Sequence, residues 1–382
     1  MPTGNEPCRP LWADIDLTAL AHNLALVRRL AGRRRLIASV KANAYGHGVV
    51  TIARELARLG VDILWTGSSD EALAIRAAGI DARILLFGGY LPGDIPVLLR
   101  HGLTPTIYDR AGAQAVSAAA AGPTPVYLKV DSGLGRLGVP VADAGELVAE
   151  IAALPRVVIE GIYTHLPFGD AAGRDEARMQ AETFASLLRR LAAQGIDPPV
   201  TQVWASSGLL AQLPDACNAV CVGHLLYGLS PVSREVASAG ELRPVMRAIK
   251  TRLIHVVHRS AGAAQAGAYG LRNARVTGVV PLGLGDGMRN AVAGQSMSML
   301  VRGRRAPVLG VSLEHTTLDL TGIESAQVGD EAILVGRSDG LANSFRDLAR
   351  WFGCGELEAL MTFSGRLQTL QIDPQIGIEC RR

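Results

Sequence analysis

Through the first two thirds of the chain, short β-branched and aliphatic runs alternate with longer stretches rich in Ala, Leu and Arg. The short runs predict strands over 36–40, 63–67, 84–87, 104–108, 126–130, 158–163, 200–204 and 219–223. The longer stretches predict helices over 17–30, 51–58, 69–78, 110–121, 142–153 and 174–194. In 17–30 the apolar residues recur three and four apart, as one buried helix face requires. Eight strands with helical crossovers fit an α/β fold closed into a (β/α)8 TIM-type barrel. A doubly wound open sheet competes, but usually has fewer strands.

The pattern changes near residue 240. Strand-like runs with Gly-rich turns follow at 251–258, 274–281, 297–301, 308–313, 331–335 and 357–362, with one possible helix at 341–351. This predicts a mainly β C-terminal domain over 239–382, behind a barrel over 10–238 and a tail over 1–9. The stretch 229–242, with Pro231 and Gly240, reads as the junction.

Composition narrows the function more than the fold. The chain has 382 residues, 48% of them hydrophobic, enough to bury a large core. A formal net charge of +3 offers no footprint for nucleic acid or an anionic membrane, and Arg33-Arg34-Arg35 reads as a solvated helix end. No signal pattern opens the chain, and no run is long and apolar enough for a membrane helix. Cysteines at 8, 217, 221, 354 and 380 show neither pairing nor metal spacing. A reducing, cytoplasmic location with no metal is therefore expected.

A barrel carries its active site at the carboxyl ends of its strands. There the chain places Lys41-Ala42-Asn43-Ala44-Tyr45-Gly46-His47-Gly48, Asp131-Ser132-Gly133-Leu134-Gly135-Arg136-Leu137-Gly138, Thr164-His165, Ser206-Ser207 and Val222-Gly223-His224. Lys41, Lys129 and Lys250 are the only lysines in an arginine-rich chain. A lysine amine forms Schiff bases, and burial lowers its pKa. Lys41 is the best placed for that chemistry, and a lysine snorkelling at the rim fits the position equally well. Ser207 and the backbone at Gly223–His224 sit where barrels bind phosphate, which is also where a helix takes its cap.

The segment Ser39-Val40-Lys41-Ala42-Asn43-Ala44-Tyr45-Gly46-His47-Gly48 resembles the pyridoxal-5′-phosphate (PLP) signature of alanine racemases. The likeness runs from Ala13-Asp14-Ile15-Asp16-Leu17 into the C-terminal domain. It implies a PLP-binding barrel, a β domain and a head-to-tail homodimer with shared active sites, acting on a small amino acid. Carried over, Lys41 would hold PLP as a Schiff base and act as one of two bases. Tyr45, Ser207, Gly223 and His224 would contact the phosphate. Arg136 would face the phenolic oxygen and the substrate carboxylate. His165 would lie against the pyridine ring, and Lys129 matches a position often carbamylated. Tyr269, from the partner subunit, would be the second base.

Several family positions are changed. Cys221 stands where the family's arginine meets the pyridine nitrogen, and a thiol supplies no fixed cation. Altered cofactor electronics and neutral drift both fit that change. Leu284 replaces an entrance tyrosine, Leu313-Glu314 replaces a Met-Asp pair with Leu313 at a substrate position, and Leu357-Glu358 replaces a Tyr-Glu motif. The resemblance implies a racemase for alanine or a bulkier residue. The departures keep a PLP lyase or aldolase open as the alternative. A PLP carrier without catalysis fits less well, because such barrel relatives have no β domain.

Overall fold

A computed structural model describes residues 9–238, 240–258, 274–323, 325–363 and 365–372. Two compact units are found. One comprises residues 19–44 and 48–243; the other holds the described residues up to Thr18, Tyr45–His47, and those from Pro244 onward.

The first unit contains β2 (Arg35–Ser39), β3 (Ile63–Thr66), β4 (Arg83–Leu86), β5 (Leu103–Ile107), β6 (Thr124–Asp131), β8 (Val157–Tyr163), β9 (Val200–Gln202) and β10 (Ala219–Val222). Each pairs in parallel with the next, β5 with β6 and β10 with β2, so the sheet closes into the expected eight-stranded barrel. A two-residue β7 (Val139–Pro140) lies against β6. Ile37, Ile63, Trp65, Leu85, Tyr127, Tyr163, Val200, Ala219 and Cys221 form one buried cluster. Their neighbours Ala38, Leu64, Ile84, Leu86, Leu128, Ile162 and Val220 are buried too. Strands buried on both faces belong to a parallel sheet covered by helices.

The helices after β3, β5 and β8 begin alike. Ser68, Asp109 and Asp170 accept the N–H of Glu71, Gly112 and Gly173 and so start Ser69–Ala77, Arg110–Ala119 and Ala171–Ala193. Such caps satisfy N–H groups that a helix start leaves without partners. Among the described residues no helix is long and apolar enough to cross a membrane.

The second unit is built on a mainly antiparallel sheet of β1 (Leu11–Asp16), β11 (Met246–Arg252), β12 (His255–His258), β13 (Val276–Val280), β14 (Ser298–Val301), β15 (Arg304–Val311), β16 (Thr316–Asp319), β17 (Glu331–Ser338), β18 (Leu341–Asn343) and β19 (Gln368–Ile372). The order is β12-β13-β16-β15-β14-β17-β11-β1-β19, with β18 against β17. Leu11–Asp16, counted with the barrel from the sequence, pairs here with β11 and β19. Its polar residues are buried because they are matched. Lys250 bridges Asp14 at 3.0 Å, Arg247 bridges Asp16 at 2.9 Å, and the Trp12 indole donates to Asp14 at 3.0 Å.

Two further expectations are corrected. The run 357–362 is no strand: Glu356–Met361 is a helix, as its unbranched helix formers favour. The helix expected at 341–351 opens as β18 and becomes helical only at Phe345–Phe352, where Ser344 and Asp347 form a reciprocal cap. β1, β16 and β19 were not anticipated.

Candidate active site

The site begins where β2 ends. After Lys41 the chain makes one turn of left-handed helix: φ/ψ is 54°/56° at Ala42, 53°/44° at Asn43 and 52°/52° at Ala44, and φ is 55° at Tyr45. Each L residue there costs about 1–2 kcal/mol, so four in a row need outside support. The Ala44 N–H donates to Val40 O at 2.9 Å, and Asn43 Oδ1 accepts the Val49 N–H at 2.8 Å. Glu71, at the start of the helix after β3, accepts the Asn43 N–H at 2.5 Å and the Thr66 hydroxyl.

The Lys41 amine lies 5.8 Å from the centroid of the Phe87 ring. Phe87 packs edge-on against Trp65 at 5.1 Å, and Trp65 against Tyr163 at 5.2 Å. Burial pushes the Lys41 ammonium below its usual range and Arg136 adds to that, while Cys221 pulls the other way. Burial also raises the Cys221 thiol well above its ordinary value, against the pull of Lys41. The thiol is therefore neutral at physiological pH, and the position of the family's arginine carries no charge.

The other strand ends converge on this amine. His165 is depressed to about 3 by burial and by Lys41, Arg136, Lys129 and His224. His224 is depressed to about 4 by burial and Lys41. Both imidazoles are neutral at pH 7. Lys129 is brought to about 8 by burial and Arg136, against Asp131, and its amine donates to Leu137 O.

The loop carrying Arg136 is folded by Asp131, whose Oδ1 accepts the N–H of Gly133 at 3.0 Å and of Gly135 at 3.2 Å. Burial would raise the Asp131 carboxyl, but these donors and the Leu134 N–H, with Lys129, hold it below its usual range. Gly138, with φ 127°, closes the loop, and a Cβ there would come within 2.7 Å of Asp131 N. Ser132 and Thr164 share a hydrogen bond at 2.8 Å, tying this loop to the strand end that carries His165.

Ser206 and Ser207 are buried in the first turn of Ser206–Leu210. The Gly223 N–H, a phosphate contact by resemblance, donates here to Ser206 Oγ at 3.1 Å. The Tyr227 hydroxyl donates to Ser39 O at 2.9 Å, tying the chain after β10 to the end of β2. Tyr45 is buried at the end of the left-handed turn. Leu313 belongs to the second unit, where it is 66% exposed. Tyr269 lies outside the described residues.

Lys41, Lys129, Arg136, His165, Cys221 and His224 are thus electrostatically joined, as one site requires. Glu71 and the Trp65–Phe87 pair were missed from the sequence. The signal available was Ser68-x-x-Glu71, which reads as a simple helix cap.

PLP fits this donor set. An aldehyde needs an amine with a lowered pKa, which Lys41 supplies. Its anionic groups need a cation, which Arg136 would supply. The buried Nδ1 of His165 has no hydrogen-bond partner among the described residues and keeps that capacity for a ligand. By the resemblance, the pyridine nitrogen would meet something unusual, the neutral Cys221.

Comparison with known proteins identifies the family. The alanine racemase N-terminal domain matches residues 15–231, and the alanine racemase C-terminal domain matches 246–371. The alanine racemase of Symbiobacterium thermophilum is 33% identical over 347 residues, 89% of this chain and 91% of that protein. That of Geobacter sulfurreducens is 31% identical over 378 residues, 96% of this chain and 98% of that protein. The crystal structure of alanine racemase from Bacillus anthracis with bound L-Ala-P superposes with a TM-score of 0.85 at 26% identity, covering 98% of each chain. The barrel, the β domain and these matches together place the chain in the alanine racemase family, as an amino-acid racemase.

Proposed function

We propose that this racemase uses PLP held by Lys41 and moves the α-proton between two bases, Lys41 and Tyr269, on opposite faces of the substrate. The observation that carries the reading is the half-buried Lys41 amine, with its lowered pKa, electrostatically coupled to Arg136, His165 and His224. Bound there, PLP supplies an electron sink for the bond that breaks at the α-carbon. The side chains do the rest. Lys41 takes or returns a proton on one face, and Tyr269, supplied by a second copy of the chain in a head-to-tail dimer, does so on the other. Arg136 would hold the substrate carboxylate, and the Ser207 hydroxyl would hold the phosphate. His165, held neutral, would line the cofactor ring without adding charge. The barrel unit, residues 19–44 and 48–243, is proposed as the cofactor domain and the segment 239–382 as the donor of Tyr269, in a cytoplasmic enzyme.

Alanine or a bulkier amino acid is the substrate class, the second favoured by Leu284 and Leu357 standing where the resemblance places tyrosines. One observation favours a different outcome. With Cys221 neutral, no fixed cation supports the pyridine nitrogen, and a lyase or aldolase acting on the same scaffold is the second reading.

Incubating the PLP-loaded protein with L- and D-amino acids in D2O, followed by mass spectrometry and chiral chromatography, separates the two. Deuterium uptake with loss of optical purity supports two-base racemisation and identifies the substrate. An aldehyde or amine product supports the lyase. No uptake and no new product with any amino acid tested removes both readings for those amino acids.

A further inference from the structure

We propose that Glu71 is a positioning residue of this site: its carboxylate holds the left-handed turn at 42–45 closed and thereby fixes where the Lys41 amine points. The inference rests on Lys41 as the reactive amine.

Glu71 occupies the third position of the helix Ser69–Ala77, and its own N–H is held by the capping Ser68 Oγ at 3.4 Å. In a reciprocal cap the glutamate side chain would reach back to the Ser68 N–H. Here that N–H turns instead to Thr66 Oγ1 at 3.4 Å. The carboxylate is left for two other donors, the Asn43 N–H at 2.5 Å and the Thr66 hydroxyl. Thr66 is fully buried on β3, and β3 runs beside β2, with the Val40 N–H donating to Trp65 O at 2.8 Å. One oxygen of Glu71 is thus fixed to the barrel wall and the other to the middle of the turn.

Alanine has no intrinsic preference for positive φ, so Ala42 and Ala44 stay left-handed only while the surroundings impose it. Asn43 lies between them, and it is the residue gripped from both sides. Its N–H is held by Glu71, and its Oδ1 accepts the Val49 N–H at 2.8 Å. Releasing Asn43 frees the backbone that carries Lys41 at one end and Tyr45 at the other.

The test uses the full-length protein with PLP, comparing Glu71→Ala and Glu71→Gln with wild type. Hydrogen–deuterium exchange reads the turn directly. In Glu71→Ala, exchange across 41–48 should rise about tenfold or more while 126–130 stays protected. The PLP dissociation constant should rise and kcat should fall, each by about tenfold, with KM little changed. Glu71→Gln should recover most of this, because its amide oxygen still accepts the Asn43 N–H. Unchanged exchange in Glu71→Ala overturns the proposal. So does raised exchange with wild-type PLP affinity and kcat. If Glu71→Ala does not fold, Thr66→Val removes the other anchor and should raise exchange in the same peptide, and protection unchanged there counts against the clamp. Borohydride reduction and peptide mapping distinguish the two levels. A PLP label on Lys129 or Lys250 removes the Lys41 reading and this inference with it. A label on Lys41 with unaltered exchange removes the inference alone.

Discussion

The Lys41 amine lies over Phe87, 5.8 Å from the ring centroid. The ring keeps water from one side of an amine whose pKa is lowered chiefly by burial. Phe87→Ala should therefore move Lys41 back toward the ordinary lysine range and raise the pH at which PLP attaches. Truncation should also cost about 2–4 kcal/mol of stability from the cavity left against Trp65. Titrating PLP attachment against pH checks the first effect. A midpoint that does not move would show that the ring has no part in tuning the amine.

Lys41→Ala should abolish both PLP retention and racemisation, a loss of about a thousandfold or more if Lys41 both holds the cofactor and moves a proton. Absorbance of the bound cofactor and chiral analysis of the product are the two readouts. Full turnover in this variant would end the Lys41 assignment.

Restoring the family's arginine should not be benign. Cys221 is 5% exposed in a cluster with Trp65 and Tyr163. Cys221→Arg brings a long cation into packed aromatic surroundings beside Lys41, and a loss of several kcal/mol follows from overpacking and an uncompensated buried charge. Thermal unfolding measures it. A variant as stable as wild type would mean that the barrel interior has room for the guanidinium.

Acid should unfold the protein partly through its histidines. In the folded state His165 sits at about 3 and His224 at about 4, below the ordinary 6.5. The unfolded chain then takes up these protons first, so this stability is present above about pH 6.5 and is lost as pH falls toward 4. At 1.36 kcal/mol per pKa unit, His165 alone accounts for about 3 kcal/mol over that range. Denaturant unfolding at several pH values should show the slope, and His165→Gln should flatten it. An equal slope in the variant would locate the acid sensitivity elsewhere.

In the β unit, Asp286 is 2% exposed and bridges Arg9 at 2.5 Å and Arg366 at 3.5 Å, while its Oδ2 accepts the Gly283 N–H at 2.9 Å. Asp286→Ala should cost about 1–3 kcal/mol, because it leaves the buried Gly283 N–H without its acceptor. Chemical denaturation checks this, and a change below 1 kcal/mol would show that water replaces the carboxylate.

Much of the molecule was already legible in the residue pattern. Strand-length aliphatic runs alternating with amphipathic helices are a local signal, and all eight barrel strands follow from it. The rarity of lysine and the polar strand ends pointed to Lys41 without deciding between Schiff-base chemistry and a snorkelling lysine, and the roles of Arg136 and His165 came from the resemblance. Other features depend on residues distant in sequence. Leu11–Asp16 is a strand of the β unit because Met246–Arg252 and Gln368–Ile372 flank it, with Lys250 and Arg247 neutralising its acids. Glu356–Met361 is helical because unbranched helix formers outweigh its apolar content. Four consecutive non-glycine residues turn left-handed after Lys41 against their own preference, and no local signal foretells that. What sequence alone determined was the order of the barrel strands and the identity of the chemical groups. Only the tertiary structure decided how Glu71 grips Asn43, how burial tunes Lys41 and His165, and why Cys221 stays neutral, because all three depend on which surfaces meet when the barrel closes.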